Sequence, residues 1–242
     1  MGFVDLHVHL LPGLDDGCKS MEETLAMAKA LVAVGYTATA PSPHNRPEYA
    51  SGSKQASLSK LEEVRAALGE AGLALSVDEN AENYFLDERL LGALATPESR
   101  RLGRAGRYLL AEAPYTGPVP MLTDLLFRMK VKGVTPVIAH PERCFEFEKK
   151  GRAEECVRGG ALLQLDLGSL IGKYGKQAQK LARQFLGEGL YSVAATDLHS
   201  PLNAEAWVSE ALAALEKAVG PKAFQALVAD HPAALLRGDV LP

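Results

Sequence analysis

The chain lacks most of what would mark it as a secreted, membrane-spanning or nucleic-acid-binding protein. Three cysteines in 242 residues are an odd number and too few for a disulfide framework, which agrees with a reducing compartment. None of them opens a Cys-x5-Arg loop: six residues after Cys18, Cys144 and Cys156 stand Thr24, Lys150 and Leu162. A thiolate phosphatase is therefore excluded, and the thiols are expected to pack. No basic stretch precedes the opening apolar run, which Asp5 soon interrupts. Neither a signal peptide nor membrane insertion is expected, and the cytoplasm is the default location. A formal charge of −4 offers no surface for nucleic acid. Walker-type and dinucleotide-type glycine loops are missing too. No repeat, low-complexity tract or Pro/Gly/Ser-rich linker divides the chain, so residues 1–242 read as one domain. Its 47% hydrophobic and 23% charged residues suit a full core.

What is present is an alternation of short apolar runs with longer amphipathic ones. Strands are expected near residues 3–8, 36–40, 74–77, 108–111, 135–139, 161–165 and 192–195. Helices are expected near 21–34, 57–71, 119–132, 146–158, 175–186, 204–218 and 221–229. Ser20 and Glu23 have the form of a capping box for the first helix. About seven strand–helix units suggest a parallel α/β barrel, whose sites form at the C-terminal strand ends.

Five of the six histidines fall at those ends. His7 and His9, in Asp5-Leu6-His7-Val8-His9, project to one side of an extended strand, and Asp5 on the same face could orient a ligating ring. His44 follows the second strand in Pro43-His44-Asn45-Arg46, His140 the fifth, and His199 the seventh in Asp197-Leu198-His199. Asp16, Glu82, Glu112 and Asp197 take equivalent places. Five imidazoles and four carboxylates exceed what one ion takes, so two or three divalent ions sharing carboxylates are expected. Nitrogen and oxygen donors without thiolate suit manganese, iron or zinc. Arg143, three residues after His140, is the first candidate for clamping an oxyanion and Arg46, two after His44, the second; the plainer alternative is an ion pair, for Arg143 with Glu142. Asp15 is either an orienting group or solvated. His231 is expected to be a surface or capping residue.

These residues resemble the polymerase-and-histidinol-phosphatase (PHP) superfamily, and within it the bacterial manganese-dependent protein-tyrosine phosphatases of capsule and exopolysaccharide synthesis. The segments that carry the resemblance span most of the chain: Asp5 to His9, Leu14-Asp15-Asp16-Gly17 with Ser20, Pro43-His44, Ala81-Glu82, Arg107-Tyr108 through Glu112, Pro136 through Arg143, and Asp197-Leu198-His199. The resemblance implies a distorted (β/α)7 barrel of the PHP type forming a single metallophosphatase domain. It implies phosphotyrosine hydrolysis by a metal-activated hydroxide at a trinuclear site, on a protein substrate such as the tyrosine-rich tail of a cognate kinase. By analogy one ion belongs to His7, His9, Glu82 and Asp197, a second to Glu82, Glu112 and His140, and a third to Asp16, His44 and His199. Manganese is the implied metal, with iron, zinc, cobalt or magnesium as substitutes. Nothing in the pattern sets an oligomeric state. Two departures stand out. The family's usual arginine after the last Asp-x-His is missing from Ser200-Pro201-Leu202-Asn203-Ala204. Asp78-Glu79-Asn80-Ala81 replaces a more usual Gly-Ala before Glu82, which makes Glu79 a rival ligand. A small-molecule phosphoesterase such as a histidinol phosphatase, or a non-catalytic metal-bound partner of a polysaccharide-export complex, are the alternative readings.

Overall fold

Repeated strand–helix units force neighbouring strands to run parallel, because each helix returns the chain to the same edge. In the computed structural model, which describes residues 2–46, 49, 53–84 and 86–241, every named strand pair is parallel. The first half runs β1 (Phe3–Asp5), α1 (Met21–Ala33), β2 (Tyr36–Thr39), β3 (His44–Asn45), α2 (Lys54–Glu70), β4 (Ser76–Val77), β5 (Glu82–Asn83), α3 (Glu88–Ala93) and β6 (Tyr108–Ala111). The second half runs α4 (Leu122–Val131), β7 (Thr135–Ala139), α5 (Arg152–Arg158), β8 (Leu162–Asp166), α6 (Leu167–Leu170), α7 (Gly175–Gly187), β9 (Tyr191–Ala195), α8 (Ala204–Gln225) and α9 (His231–Arg237).

The parallel α/β architecture is as expected, but the wall is not one continuous ladder. The strands form two sheets, in the orders β1-β2-β4 and β3-β5-β6-β7-β8-β9. One break has a covalent cause. Pro41 and Pro43 follow β2 and carry no N–H for a ladder, so pairing resumes only at His44 and Asn45 against Glu82 and Asn83. The expected strand at 36–40 therefore stops at Thr39, and β3 and β5 appear where no strand was read. Between β9 and β1 the contact is made by single bonds. Asp197 N donates to His7 O at 2.8 Å and His9 N to Leu198 O at 2.9 Å. Thr196 donates from both N and Oγ1 to the Asp5 carboxylate, at 3.2 and 2.6 Å.

The central strands are buried on both faces, as parallel strands covered by helices must be. Alternate residues serve two separate cores. Tyr108, Leu110, Val137, Ala139 and Val193 pack inside with Val4 and Leu6, whereas Leu109, Ile138, Leu163, Leu165 and Ala194 meet the helices. The inward set of β8 continues from Leu162 to Gln164 and Asp166, both fully buried, so polar groups replace apolar ones towards the C-terminal strand end.

Helix starts follow local chemistry. Ser20 Oγ accepts from Glu23 N at 3.3 Å, while Glu23 Oε2 accepts from Lys19 N, one residue earlier than in a strict capping box. Residues 145–148 form a separate 3-10 turn before α5 instead of the expected helical start at 146. Gly220, with φ of 79°, and Pro221 break α8 where two helices were expected. His231 begins α9 and its Nδ1 donates to Ser192 O at 2.8 Å, a connecting role. Among the described residues no helix is long and apolar enough to cross a membrane.

Candidate metal centre

The strand ends bring side chains from distant parts of the chain to one rim. His7 and His9 follow β1 and Asp16 lies in the next loop. His44 and Glu82 stand opposite each other on β3 and β5, Glu112 and His140 follow β6 and β7, and Asp197 and His199 follow β9. All nine expected ligands meet. Glu79 joins no donor group among the described residues; its carbonyl instead receives Gly103 N at 2.9 Å.

Four overlapping sets have donor atoms within 4.8 Å of one another: His9, Asp16, His44 and His199; His7, His9 and Glu82; His7, His140 and Asp197; His44, Glu82 and Glu112. The implied companionship of His7, His9 and Glu82, and of Asp16, His44 and His199, recurs in these sets, and Glu112 stays with Glu82. His140 keeps company with His7 and Asp197, and Glu112 with His44. Glu82 remains the hub, with His44 Nδ1 at 2.6 Å, His140 Nε2 at 2.9 Å and His7 Nε2 at 3.3 Å from its carboxylate. The cluster is buried except at Asp16, whose side chain is 52% exposed, and at His199, which is partly exposed.

Several of these atoms crowd one another: His7 Nε2 and His9 Nε2 stand 3.1 and 3.2 Å from Asp197 Oδ1. His7 Nε2, His9 Nε2, Glu112 Oε2 and Asp197 Oδ1 are buried without an aligned hydrogen-bond partner among the described residues. Each such atom costs about 1–3 kcal/mol, and here they converge. Nitrogen and carboxylate lone pairs aimed at a shared space fit a divalent cation. The rings are set up for it from behind. His7 Nδ1 donates to Gln164 Oε1 at 2.8 Å, His9 Nδ1 to Asp15 Oδ2 at 2.8 Å, and His199 Nδ1 to Asp197 O at 2.9 Å, which leaves each Nε2 facing the cluster. Asp15 is thus an orienting group, and it also accepts from Gly17 N and His44 N. Asp5 does not orient a ring as expected; it accepts from His7 N and from Thr196, tying β1 to the end of β9.

Backbone constraint is concentrated at the same rim. Four described non-glycine residues have positive φ, and His140 (31°) and Asp197 (50°) are two of them; such strain persists only where the surroundings enforce it. Gly17 is required by close approach, because a Cβ there would stand 2.4 Å from both His9 Cβ and His9 O.

The cluster's own charges set the protonation of its members. Burial opposes a proton on His7, but the Asp197 and Glu82 carboxylates overcome it and raise its pKa well above the usual value. His44 is likewise lifted against burial, by Asp16 and Glu82, to about 10. Burial, reinforced by Glu82, pushes Glu112 up to about 7. Burial and the Arg143 charge lower His140 to about 4.

Two arginines border the cluster, each against tyrosine. Arg46 pairs with Glu112 and lies 4.4 Å from the Tyr84 ring centroid. Arg143 Nη1 reaches Asp166 at 2.8 Å and Asp197 at 2.5 Å, Nη2 donates to Tyr115 Oη at 3.2 Å, and the guanidinium lies 4.0 Å from the Tyr174 ring centroid and 5.2 Å from that of Tyr115. Glu142 is not its partner. That carboxylate accepts from Asp166 N and Tyr191 Oη instead.

Comparison with known proteins gives this geometry a family. The pattern of the capsular polysaccharide synthesis family CpsB/CapC matches residues 3–237. The chain belongs to the CpsB/CapC family. Among its relatives, the tyrosine-protein phosphatase YwqE of Bacillus subtilis is 28% identical over 239 residues, covering 98% of this chain and 93% of YwqE. A putative tyrosine-protein phosphatase CapC of Staphylococcus aureus is 29% identical over 204 residues, covering 83% and 78%. A solved structure from work on YwqE and on CpsB of Streptococcus pneumoniae, described as unique metal-dependent tyrosine phosphatases, superposes with a TM-score of 0.88 at 27% identity over 99% of this chain and 96% of that one. A dihydroorotase, 15% identical with a TM-score of 0.56 over 99% of this chain and 74% of that one, shares the fold alone.

Within this CpsB/CapC chain, sequence reasoning missed Gln164, Asp166, Tyr115 and Tyr174. For the first two a signal existed: period-2 alternation from Leu162 points both inward, but the expected strand stopped at 165. The tyrosines lie in loops, where no periodicity marks them. The three thiols are buried as expected, and burial drives Cys18 up to about 11 and Cys156 to about 12, far from a nucleophilic thiolate.

Proposed function

We propose that the chain is a metal-dependent phosphatase that hydrolyses phosphotyrosine in proteins, with manganese at a multinuclear site held by His7, His9, Asp16, His44, Glu82, Glu112, His140, Asp197 and His199. The observation that carries the reading is the convergence of these nitrogen and carboxylate donors, most of them buried, at one strand-end rim. The phosphatase names of its CpsB/CapC relatives support it. Divalent ions bound there would lower the pKa of water and offset charge on phosphoryl oxygens.

The chain's own residues supply the rest. Gln164, Asp15 and the Asp197 carbonyl hold three rings in one tautomer, so the donor set needs no rearrangement. Arg143 presents a planar fork to phosphoryl oxygens while Asp166, Asp197 and the neighbouring tyrosines fix its plane. Tyr115 and Tyr174 are 41% and 36% exposed, so their rings can pack against a phenyl leaving group. That favours an aromatic ester over an aliphatic one. A cytoplasmic tyrosine kinase with a flexible tyrosine-rich tail is the partner this reading calls for.

The test is turnover of a phosphotyrosine peptide and of histidinol phosphate by the manganese-loaded chain. Preference for the peptide by at least about tenfold in kcat/KM, about 1.4 kcal/mol, is expected. Preference for histidinol phosphate would move the function to small-molecule phosphoesters, and no turnover of either would end the phosphatase reading.

A further inference from the structure

We propose that the Tyr115 hydroxyl is a further catalytic group: held by Arg143, it donates its own hydrogen to a phosphoryl oxygen of the substrate. The proposal rests on the phosphatase reading above. Tyr115 follows the ligand Glu112 by three residues, in the loop between β6 and α4. Two contacts pin that loop against the turn after β7. Phe145 N donates to Pro114 O at 3.3 Å on one side of the tyrosine, and Val119 N to Glu146 Oε2 at 2.8 Å on the other. The side chain is fixed as well. Its ring stacks on the imidazole of the ligand His140, with centroids 5.7 Å apart and planes 23° from parallel. Its Oη accepts from Arg143 Nη2 at 3.2 Å.

One side chain thus touches both a metal ligand and the arginine of the rim, and the direction of its hydrogen bonds decides what it can do. A phenol carries one O–H and two acceptor lone pairs. Arg143 occupies a lone pair, so the O–H is left to donate, and it has no acceptor among the described residues. Arg143 has less to offer by itself. Of the five N–H donors of a guanidinium, Nη1 bonds Asp166 and Asp197 and one N–H of Nη2 serves Tyr115. Only the second Nη2 hydrogen and Nε remain for an anion, and the tyrosine O–H adds a third donor beside them. Accepting from a cation also polarises the phenol and strengthens the bond it gives. Substrate can reach it: Tyr115 is 41% exposed and lines, with Arg143 and Tyr174, a cleft of about 310 Å³. A phenylalanine would stack on His140 equally well, so the hydroxyl is separable from the ring.

Tyr115→Phe removes that hydroxyl alone. In the manganese-loaded full chain it should lower kcat/KM for a phosphotyrosine peptide about tenfold and weaken the binding of inorganic phosphate, followed by calorimetry, by a similar factor, with bound manganese and Tm unchanged. A role exerted only through the arginine is separated by repeating the substitution in an Arg143→Met background, or in Arg143→Lys should the Met chain fold poorly. A hydroxyl that touches the phosphoryl group should still be worth at least about threefold in phosphate affinity there. A hydroxyl that merely fixes the guanidinium would add nothing in that background, and the proposal would fall. Phosphate affinity that is the same in wild type and Tyr115→Phe would also overturn the contact, whether or not the peptide is turned over, and with normal wild-type turnover the phosphatase reading would survive. If the wild type hydrolyses no phosphotyrosine peptide but binds phosphate in a way that depends on the Tyr115 hydroxyl in both backgrounds, the phosphatase reading fails and the contact stands.

Discussion

Replacing Arg143 with Met removes the guanidinium but keeps an unbranched apolar stem, so the neighbouring Tyr174 and Tyr115 rings retain something to pack against. The structure sets two separate costs. For function, loss of charge-assisted hydrogen bonds to phosphoryl oxygens is worth about 1.5–3 kcal/mol, which is about 10- to 150-fold in kcat/KM. For stability, Asp166 and Asp197 lose the cation that sits 2.8 and 2.5 Å from them. Breaking a buried pair can cost about 3–5 kcal/mol when a bare charge is left behind. Here the cost should be smaller, because burial already holds Asp166 up at about 8 despite the opposing Arg143 charge, and a neutral carboxyl needs no counter-ion. About 1–3 kcal/mol follows, and at about 2–4 °C per kcal/mol for a chain of this size the Tm should fall by several degrees. The assay is kcat/KM on a phosphotyrosine peptide, inhibition by phosphate, and Tm, for wild type, Arg143→Lys and Arg143→Met. Lys keeps the charge without the fork and should fall between the other two. An Arg143→Met chain within threefold of wild type in kcat/KM and phosphate inhibition would refute a clamp and leave only the ion pairs.

Three other expectations follow from the same contacts. In the presence of chelator, the folded chain keeps protons on His7 and on His44, raised to about 10, that the unfolded chain releases near 6.5; stability should therefore fall from pH 7 to 8.5, by up to about 1.4 kcal/mol per pH unit for each group. Manganese should abolish that slope, since imidazoles ligate unprotonated, and a metal-free Tm that rises over this range would contradict the protonation described. Asp15→Ala, and separately Gln164→Ala, should weaken metal affinity about 10- to 100-fold by freeing the His9 or His7 ring, measured by competition with a chromogenic chelator; unchanged affinity would mean the rings are held by packing alone. Gly17→Ala pushes a methyl group into His9 and should cost about 1–3 kcal/mol together with metal affinity, read by Tm and the same competition; a neutral result would show that the Asp-Asp-Gly loop yields easily.

The strands at 108–111 and 135–139 were legible to the residue because continuous apolar runs have few ways to be buried. The nine donors were legible because chemistry-bearing side chains recur at one end of successive strands. What was not legible came from tertiary contact. The pairing of His44 with Glu82 depends on strands of two residues each, too short for any periodicity. One break in the wall follows from two prolines whose effect is local, whereas the contact between β9 and β1 joins residues about 190 apart. Asp5 looked like a ring-orienting carboxylate by spacing alone; Thr196, at the far end of the chain, captured it. The grouping of ligands around Glu82 likewise depends on which side of the rim each loop approaches.

The most direct measurement is phosphotyrosine-peptide turnover set against bound manganese per chain, for wild type and Asp197→Ala, after chelation and stepwise readdition. Activity that vanishes on chelation, returns in proportion to bound metal and is lost with reduced metal content in Asp197→Ala is the predicted result. Undiminished turnover by the metal-free chain, or full activity in Asp197→Ala, would contradict it.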